Sequence, residues 1–372
     1  MKILVTGGAG FIGSHLVDKL TEEGHEVRVF DNLEPQVHGV EQKIPEYLNK
    51  NAEFVRGNVY NKEEVKKALE DIEVIFHQAA AVGVGQSMYQ IEKYVKVNTI
   101  ATAQLLDILV NDEHDVKKLI VASSMSVYGE GAYECDNCGV VYPKLRSIKQ
   151  LRRRDWEMRC PNCRQIVKPL PTKEDKPTHP TSIYAITKRD QEEMCITIGR
   201  AYGIPTVALR YFNVYGTRQS LSNPYTGVVA IFLSRILNGN PLIIFEDGNQ
   251  SRDFVHVSDV VQANILAMET SKADYEIFNI GTGRRLSILN VANILIQRLN
   301  PNLRLEVTGK FREGDIRHCY ADISKAQKKL GYTPKIRFED GISELIEWVK
   351  ACRAVDLFEQ AIKELKSKGL MK

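Results

Sequence analysis

Nowhere does this 372-residue chain carry an apolar run long enough to span a bilayer. It has no internal repeat and no low-complexity tract, which excludes a solenoid and a flexible scaffold. It lacks a strong net charge. Fifty Lys and Arg against 47 Asp and Glu leave +3, so the balance calls for no nucleic acid or other polyanion as partner. The opening Met1–Gly7 lacks the pattern of a signal peptide: its apolar stretch is short and breaks into glycines, so it reads as a buried first strand. That points to a cytoplasmic protein. Cysteine is sparse, at seven, and Cys195, Cys319 and Cys352 have no ligand spacing and read as free thiols. With 26% charged and 43% apolar residues, the composition is that of an ordinary folded protein.

What is present is a β-α alternation. Lys2–Thr6, Glu26–Asp31, Glu53–Arg56, Val74–His77, Lys118–Ser123 and Thr206–Tyr211 read as buried strands. Helical patterns lie at Phe11–Glu23, Lys62–Leu69, Asn98–Val110 and Tyr184–Tyr202. Repeated units of this kind predict an α/β fold with a doubly wound parallel sheet. The expected division is a nucleotide-binding domain over 1–130 and 177–212, an insert at 131–176, a smaller mixed α/β lobe mainly over 213–340, and C-terminal helices at 341–372. Two apolar faces mark the last segment. Ile342, Leu345, Ile346 and Val349 form one; Leu357, Phe358, Ala361, Ile362 and Leu365 form the other. Both are expected to pack on the outside of the lobe.

Gly7, Gly10 and Gly13 follow the first strand and open the first helix. The first permits a turn, the second lets a pyrophosphate approach the backbone, and the third packs helix on strand. The helix N-terminus offers N–H groups and partial positive charge to phosphate. Asp31 ends the second strand at the distance where a carboxylate accepts from the adenosine ribose. Its charge would repel a 2′-phosphate, so NAD is expected rather than NADP.

Further on stand Ser123-Ser124-Met125-Ser126-Val127-Tyr128-Gly129 and Tyr184-Ala185-Ile186-Thr187-Lys188. Tyr184 and Lys188 share one helix face. A free tyrosine, with a pKa of about 10, is a poor base at neutral pH. A cation ~6 Å away at an effective dielectric of ~20 contributes about 2.8 kcal/mol, roughly two pKa units. Lys188 and a bound nicotinamide cation are therefore expected to bring Tyr184 towards neutrality.

The glycine loop, the Ser-Ser strand end, Tyr-x-x-x-Lys and Arg210-Tyr211-Phe212-Asn213 occur in that order. Together they resemble the extended short-chain dehydrogenase/reductase family of nucleotide-sugar epimerases and dehydratases, which implies a Rossmann-type sheet. The resemblance makes Ser124, Tyr184 and Lys188 the catalytic set, with Lys188 also holding the nicotinamide ribose. It extends the cofactor contacts to Phe11, Ile12, Asn32, Asn58, Val59, Ala79, Ala80, Asn98 and Phe212. Gly57-Asn58-Val59 departs from the family's Gly-Asp. The Asn58 amide oxygen still offers an acceptor to the adenine amino group, with weaker binding expected. Gly248–Phe254 and Arg312–Asp315 resemble the family's diphosphate and nucleoside clamps. Arg252 and Arg312 would pair with the diphosphate, Asp315 with a ribose hydroxyl, and Asn213 with a phosphate or sugar oxygen. Cys319 would stand near the sugar and leave a roomy hexose pocket. Where dehydratases and decarboxylases of the family place acids, this chain has Met125 and Ser126, which favours a plain 4-epimerase. The family also implies a homodimer. A 4-keto-sugar reductase or C6-type dehydrogenase is the competing enzyme, and a non-catalytic NAD-dependent regulator the reading from another class.

The insert carries Cys135-x2-Cys138 and Cys160-x2-Cys163. Paired CxxC without an export signal favours metal over disulfides, and four thiolates fit a closed, structural zinc site. Residues 133–176 hold eleven Lys and Arg against six Asp and Glu. A nucleic-acid-binding ribbon using Arg152, Arg153 and Arg154 is the lesser alternative to a knob that covers the active site or meets a partner subunit. An insert of this kind is similar to that of the dTDP-L-rhamnose 4-epimerase subgroup, which would imply a dTDP-6-deoxyhexose; UDP-hexoses remain open.

Overall fold

Continuous runs of Val, Ile and Leu suit strands that are covered on both faces. In the computed structural model, which describes residues 1–371, seven such strands form one parallel sheet. Lys372, the end of the expected C-terminal segment, lies outside the described residues. From Lys2–Thr6 the order runs one way through Glu26–Asp31 to Glu53–Arg56. It runs the other way through Val74–His77, Lys118–Ser124 and Thr206–Tyr211 to Ile277–Ile280. The order therefore reverses beside Lys2–Thr6, and the crevice opened there is where doubly wound sheets bind ligands. This is the Rossmann-type arrangement expected.

Two apolar layers cover the sheet. Leu16, Val17 and Leu20 of helix Phe11–Glu22 share one with Val260 and Ala263 of helix Val257–Glu269. Val65, Leu105, Leu109, Cys195 and Ile196 form the other, from helices Lys62–Ala68, Ala101–Asn111 and Ile183–Tyr202. A third core, with Phe232, Leu233, Leu295, Ile342 and Leu345, fills the smaller lobe.

Three details differ from the pattern reading. The helix expected at Asn98–Val110 begins earlier, at Ile91, and passes through a π-helical turn at Val95–Ile100. The wider turn carries Asn98 inward, fully buried. Second, the 213–340 segment is shared: Ile277–Ile280 completes the large sheet, and Val257–Glu269 packs on it. Third, helix Phe338–Lys350 packs on the lobe core, whereas helix Phe358–Ser367 does not lie on the outside. Its Phe358, Ala361, Ile362 and Leu365 face the central cavity.

The insert is a small sheet, with Ala132–Cys135 between Gly139–Val141 and Lys168–Leu170, all antiparallel. Tyr133, Val141, Met158 and Val167 form its apolar centre with Cys135 and Cys160. Among the described residues, no helix is long and apolar enough to cross a membrane.

Candidate active site

One cavity of about 990 Å³ runs from the glycine loop, past the strand ends, to the smaller lobe. Its floor follows from the local sequence. Gly7 has φ +69°, and a side chain there would come within 2.8 Å of the Ala79 backbone. A Cβ on Gly13 would lie 2.2 Å from the Gly7 carbonyl. Only glycine permits this approach of loop, helix and strand. The helix begins at Gly10, which offers no capping side chain, so its first N–H groups are available to an anion. Asp31 fixes the loop: its carboxylate accepts from Ala9 N at 3.0 Å and Leu33 N at 2.9 Å while facing the cavity. Loop, helix end and carboxylate together fit the pyrophosphate and ribose of a dinucleotide.

The catalytic candidates meet further along. Ser124 ends its strand and caps the short turn Met125–Tyr128, accepting from Ser126 N at 3.2 Å. Beneath it, Ser123 donates to Glu192 at 2.7 Å and Arg210 donates to the same carboxylate at 2.9 Å, locking the strand end to the long helix. That helix is capped by Ser182 and stopped by Gly203 in the left-handed region, so Tyr184 and Lys188 occupy its first turns. Ser124, Tyr184 and Lys188 all line the cavity.

Burial dominates their electrostatics. Burial raises Tyr184 above the ordinary tyrosine value, and a hydrogen bond with Ser124 draws it partly back. Burial lowers Lys188 to about 7. Its ammonium donates to the Ala122 carbonyl at 2.7 Å. Both groups have left water, and the cost of burying charge moves each towards its neutral form in the protein alone.

Most of the expected binding residues line the same cavity: Phe11, Ile12, Asn32, Val59, Ala79, Ala80 and Phe212 beside the glycine loop, and Asn213, Arg252, Arg312 and Asp315 at the far end. The Asn213 amide oxygen is buried with no hydrogen-bond partner among the described residues. Arg252 is held by the carbonyls of Ser251, Ile316 and Arg317 at 2.8 to 3.1 Å. Carbonyls orient a guanidinium without cancelling its charge, which suits an anion in the cavity. Arg312 donates to Asp315 at 2.9 Å.

Three expected contacts lie outside the cavity wall. Asn58 accepts from Asn32 at 2.8 Å, so its amide oxygen serves a neighbour in the wall. Asn98 is fully buried and bonds both the N–H and the carbonyl of Ala81, at 2.8 and 3.1 Å. It positions the wall rather than touching a ligand. Cys319 is buried behind the wall, 3.8 Å from the Thr172 hydroxyl, and cannot shape a hexose pocket by contact.

Sequence reasoning missed the cover. Leu365 packs against Gly85, Phe358 stacks near Phe245, and Glu364 accepts from Tyr89 and Tyr225 at 2.9 and 2.5 Å. The last helix thus bridges both sides of the cavity. The only signal in the sequence is its apolar face, which does not say what it faces.

In the insert, the four sulfurs of Cys135, Cys138, Cys160 and Cys163 lie within 4.8 Å of one another. Each CxxC forms a turn, the first in the hairpin after Ala132–Cys135.

The sequence profile of the NAD-dependent epimerase/dehydratase family matches residues 3–144 and 164–281, skipping part of the insert. The chain is 37% identical to a dTDP-L-rhamnose 4-epimerase of Burkholderia thailandensis, over 94% of each protein. It is 36% identical to a putative UDP-glucose 4-epimerase of Methanocaldococcus jannaschii, over 94% of this chain and 98% of that one. Among solved structures, it superposes on a UDP-glucuronic acid 4-epimerase of Bacillus cereus in complex with UDP-glucuronic acid and NAD. There the TM-score is 0.76 at 30% identity, over 94% of this chain and 99% of that one. A UDP-glucose 4-epimerase of Thermotoga maritima with UDP-glucose gives 0.74 at 36% identity, with 94% and 99% covered.

Proposed function

This chain is an enzyme of the NAD-dependent epimerase/dehydratase family, and we propose that it inverts C4 of a nucleotide-diphosphate hexose. The observation that carries the reading is the meeting of Ser124, Tyr184 and Lys188 in one cavity with a dinucleotide cradle at one end and Arg252 at the other. NAD, held by Gly7, Gly10, Gly13 and Asp31, would supply a reversible hydride acceptor. Tyr184 takes the C4 hydroxyl proton and later returns one to the epimeric alkoxide. Ser124, in the same wall as Tyr184, holds the substrate oxygen in line. Lys188 sits one helical turn further and orients the ribose beside it. Met125 and Ser126 flank Ser124 in the wall, so no carboxylate stands at that point to expel water. Arg252 and Arg312 bind the diphosphate, Asp315 a ribose hydroxyl and Asn213 a sugar or phosphate oxygen.

The preferred substrate is a dTDP- or UDP-hexose, with dTDP-L-rhamnose the specific candidate, supported by the Burkholderia relative. The four thiolates hold one structural zinc. A Zn–S bond of about 2.3 Å with tetrahedral geometry sets sulfurs roughly 3.8 Å apart, and the four sulfurs, all within 4.8 Å of one another, are close enough to share one ion. Two subunits pair through helices Ala101–Asn111 and Ile183–Tyr202, which lie side by side with Ile100 and Ile186 exposed. NMR of sugars after incubation with a panel of UDP- and dTDP-hexoses, with no NAD added, tests the activity. The reading expects a mixture of C4 epimers from one of them; a product formed only with stoichiometric added cofactor would establish the reductase or dehydrogenase instead.

A further inference from the structure

The four-cysteine insert is not a free knob. It supplies two charged side chains to a buried network beside the cavity. Arg146 forms a two-pronged pair with Glu246 at 2.7 and 2.8 Å and also donates to the Asp315 carbonyl at 3.2 Å. Glu157 accepts from Arg317 at 2.6 Å. Arg317 is wholly buried and also donates to Asp247 at 2.6 and 2.9 Å. Glu130, at the root of the insert, accepts from the backbone N–H groups of Arg317 and His318, each at 2.8 Å. Trp156 packs edge-on against Phe311. The strip 311–318 is therefore clamped on its side chains, its carbonyls and its amides by the insert and its root.

That strip is also the mount for the anion-binding end of the cavity. Arg312 and Asp315 project from it, and the carbonyls of Ile316 and Arg317 orient Arg252. An arginine steered by carbonyls is only as well aimed as the backbone that carries them. Cys135 and Cys160 stand in the small apolar centre that holds the loop bearing Arg146 and Glu157 in place.

We propose that the four-cysteine ribbon is a positioning element for the nucleoside-diphosphate end of the substrate, acting through Arg146 and Glu157 on the 311–318 strip. The inference rests on the nucleotide-sugar reading above. It places the ribbon's effect on binding, away from the proton transfer at Tyr184.

The test uses the full-length protein. Calorimetry measures UDP and dTDP binding to wild type, to Glu157→Gln, and to the double variant Arg146→Met/Glu246→Met, which replaces the buried pair by apolar groups. Glu347→Gln, in an exposed pair with Lys350 outside the insert, is the control. Bound NAD and the melting temperature report the large domain. The expected result is weaker nucleotide binding by both test variants, on the order of tenfold, as for loss of a charge-assisted bond. KM should rise in parallel with kcat nearly unchanged, NAD content kept, and the control unaffected. Should the double variant fail to fold, Glu157→Gln alone decides, since its side chain is 43% exposed. Unchanged nucleotide affinity and KM in folded, NAD-containing variants would overturn the positioning role. If wild type binds neither nucleotide, the nucleotide-sugar reading itself fails, and this inference with it.

Discussion

At the residue scale, the chemistry depends on a tyrosine that its surroundings hold neutral. Burial raises Tyr184, and only Ser124 opposes this within the protein. The phenol is thus neutral in the protein alone, and the proposed reaction requires bound cofactor and substrate to make it a base. Tyr184→Phe should leave bound NAD unchanged and cut turnover by about 10²–10⁴-fold, the usual loss for a positioned acid–base group. Steady-state rates beside a NAD assay on denatured protein measure both. Lys188 gives a pH signature. Its folded value of about 7 lies below the ordinary 10.5, so between those values the unfolded chain binds the extra proton. Stability should therefore rise with pH across that window and lose that contribution below it. Lys188→Met should flatten the slope in melts of cofactor-free protein at successive pH values; an unchanged slope would refute the lowered value.

Much at this scale was legible from sequence, because motif chemistry is local. The spacing of Gly7, Gly10 and Gly13 forces the close approach, and i to i+4 spacing puts Tyr184 and Lys188 on one face. Long-range placement was not legible. Asn58 and Asn98 bond the wall residues Asn32 and Ala81, and Cys319 meets Thr172 behind the wall; no spacing in the sequence records those partners.

At the element scale, the ribbon and the last helix contrast. The cysteine spacing announced a cluster, and the four sulfurs do converge. Elemental analysis should find one zinc per wild-type chain, and replacing Cys135 and Cys138 by Ser should remove it and expose 131–176 to protease, with the Rossmann domain still binding NAD. Metal-free wild-type protein purified under reducing conditions would contradict the site. The last helix announced only an apolar face. Periodicity reveals that such a face must be covered, and says nothing about whether a core or a ligand cavity covers it. Phe358 and Leu365 line the cavity, and Glu364 is held by Tyr89 and Tyr225.

For the whole molecule, the β-α rhythm of the first half was readable because each strand is followed by its own helix. The second half was less so. Ile277–Ile280 returns to the large sheet after a long excursion through the smaller lobe, and no local pattern records such a return. The dimer proposed through Ala101–Asn111 and Ile183–Tyr202 should appear in sedimentation at micromolar concentration. Like charge at the exposed Ile100 and Ile186, through Ile100→Glu with Ile186→Glu, should shift it towards monomer. A wild-type monomer would contradict the pairing.

The central claim is that the C4 hydrogen leaves the sugar and returns to the same carbon on its other face, within one enzyme molecule. Hexose labelled with deuterium at C4, once the panel has identified the nucleotide sugar, tests it most directly. NMR and mass spectrometry of the product, formed without added NAD, should find the deuterium at C4 of the epimer and none lost to water. Deuterium washed out into solvent, or an epimer that lacks it at C4, would contradict the account.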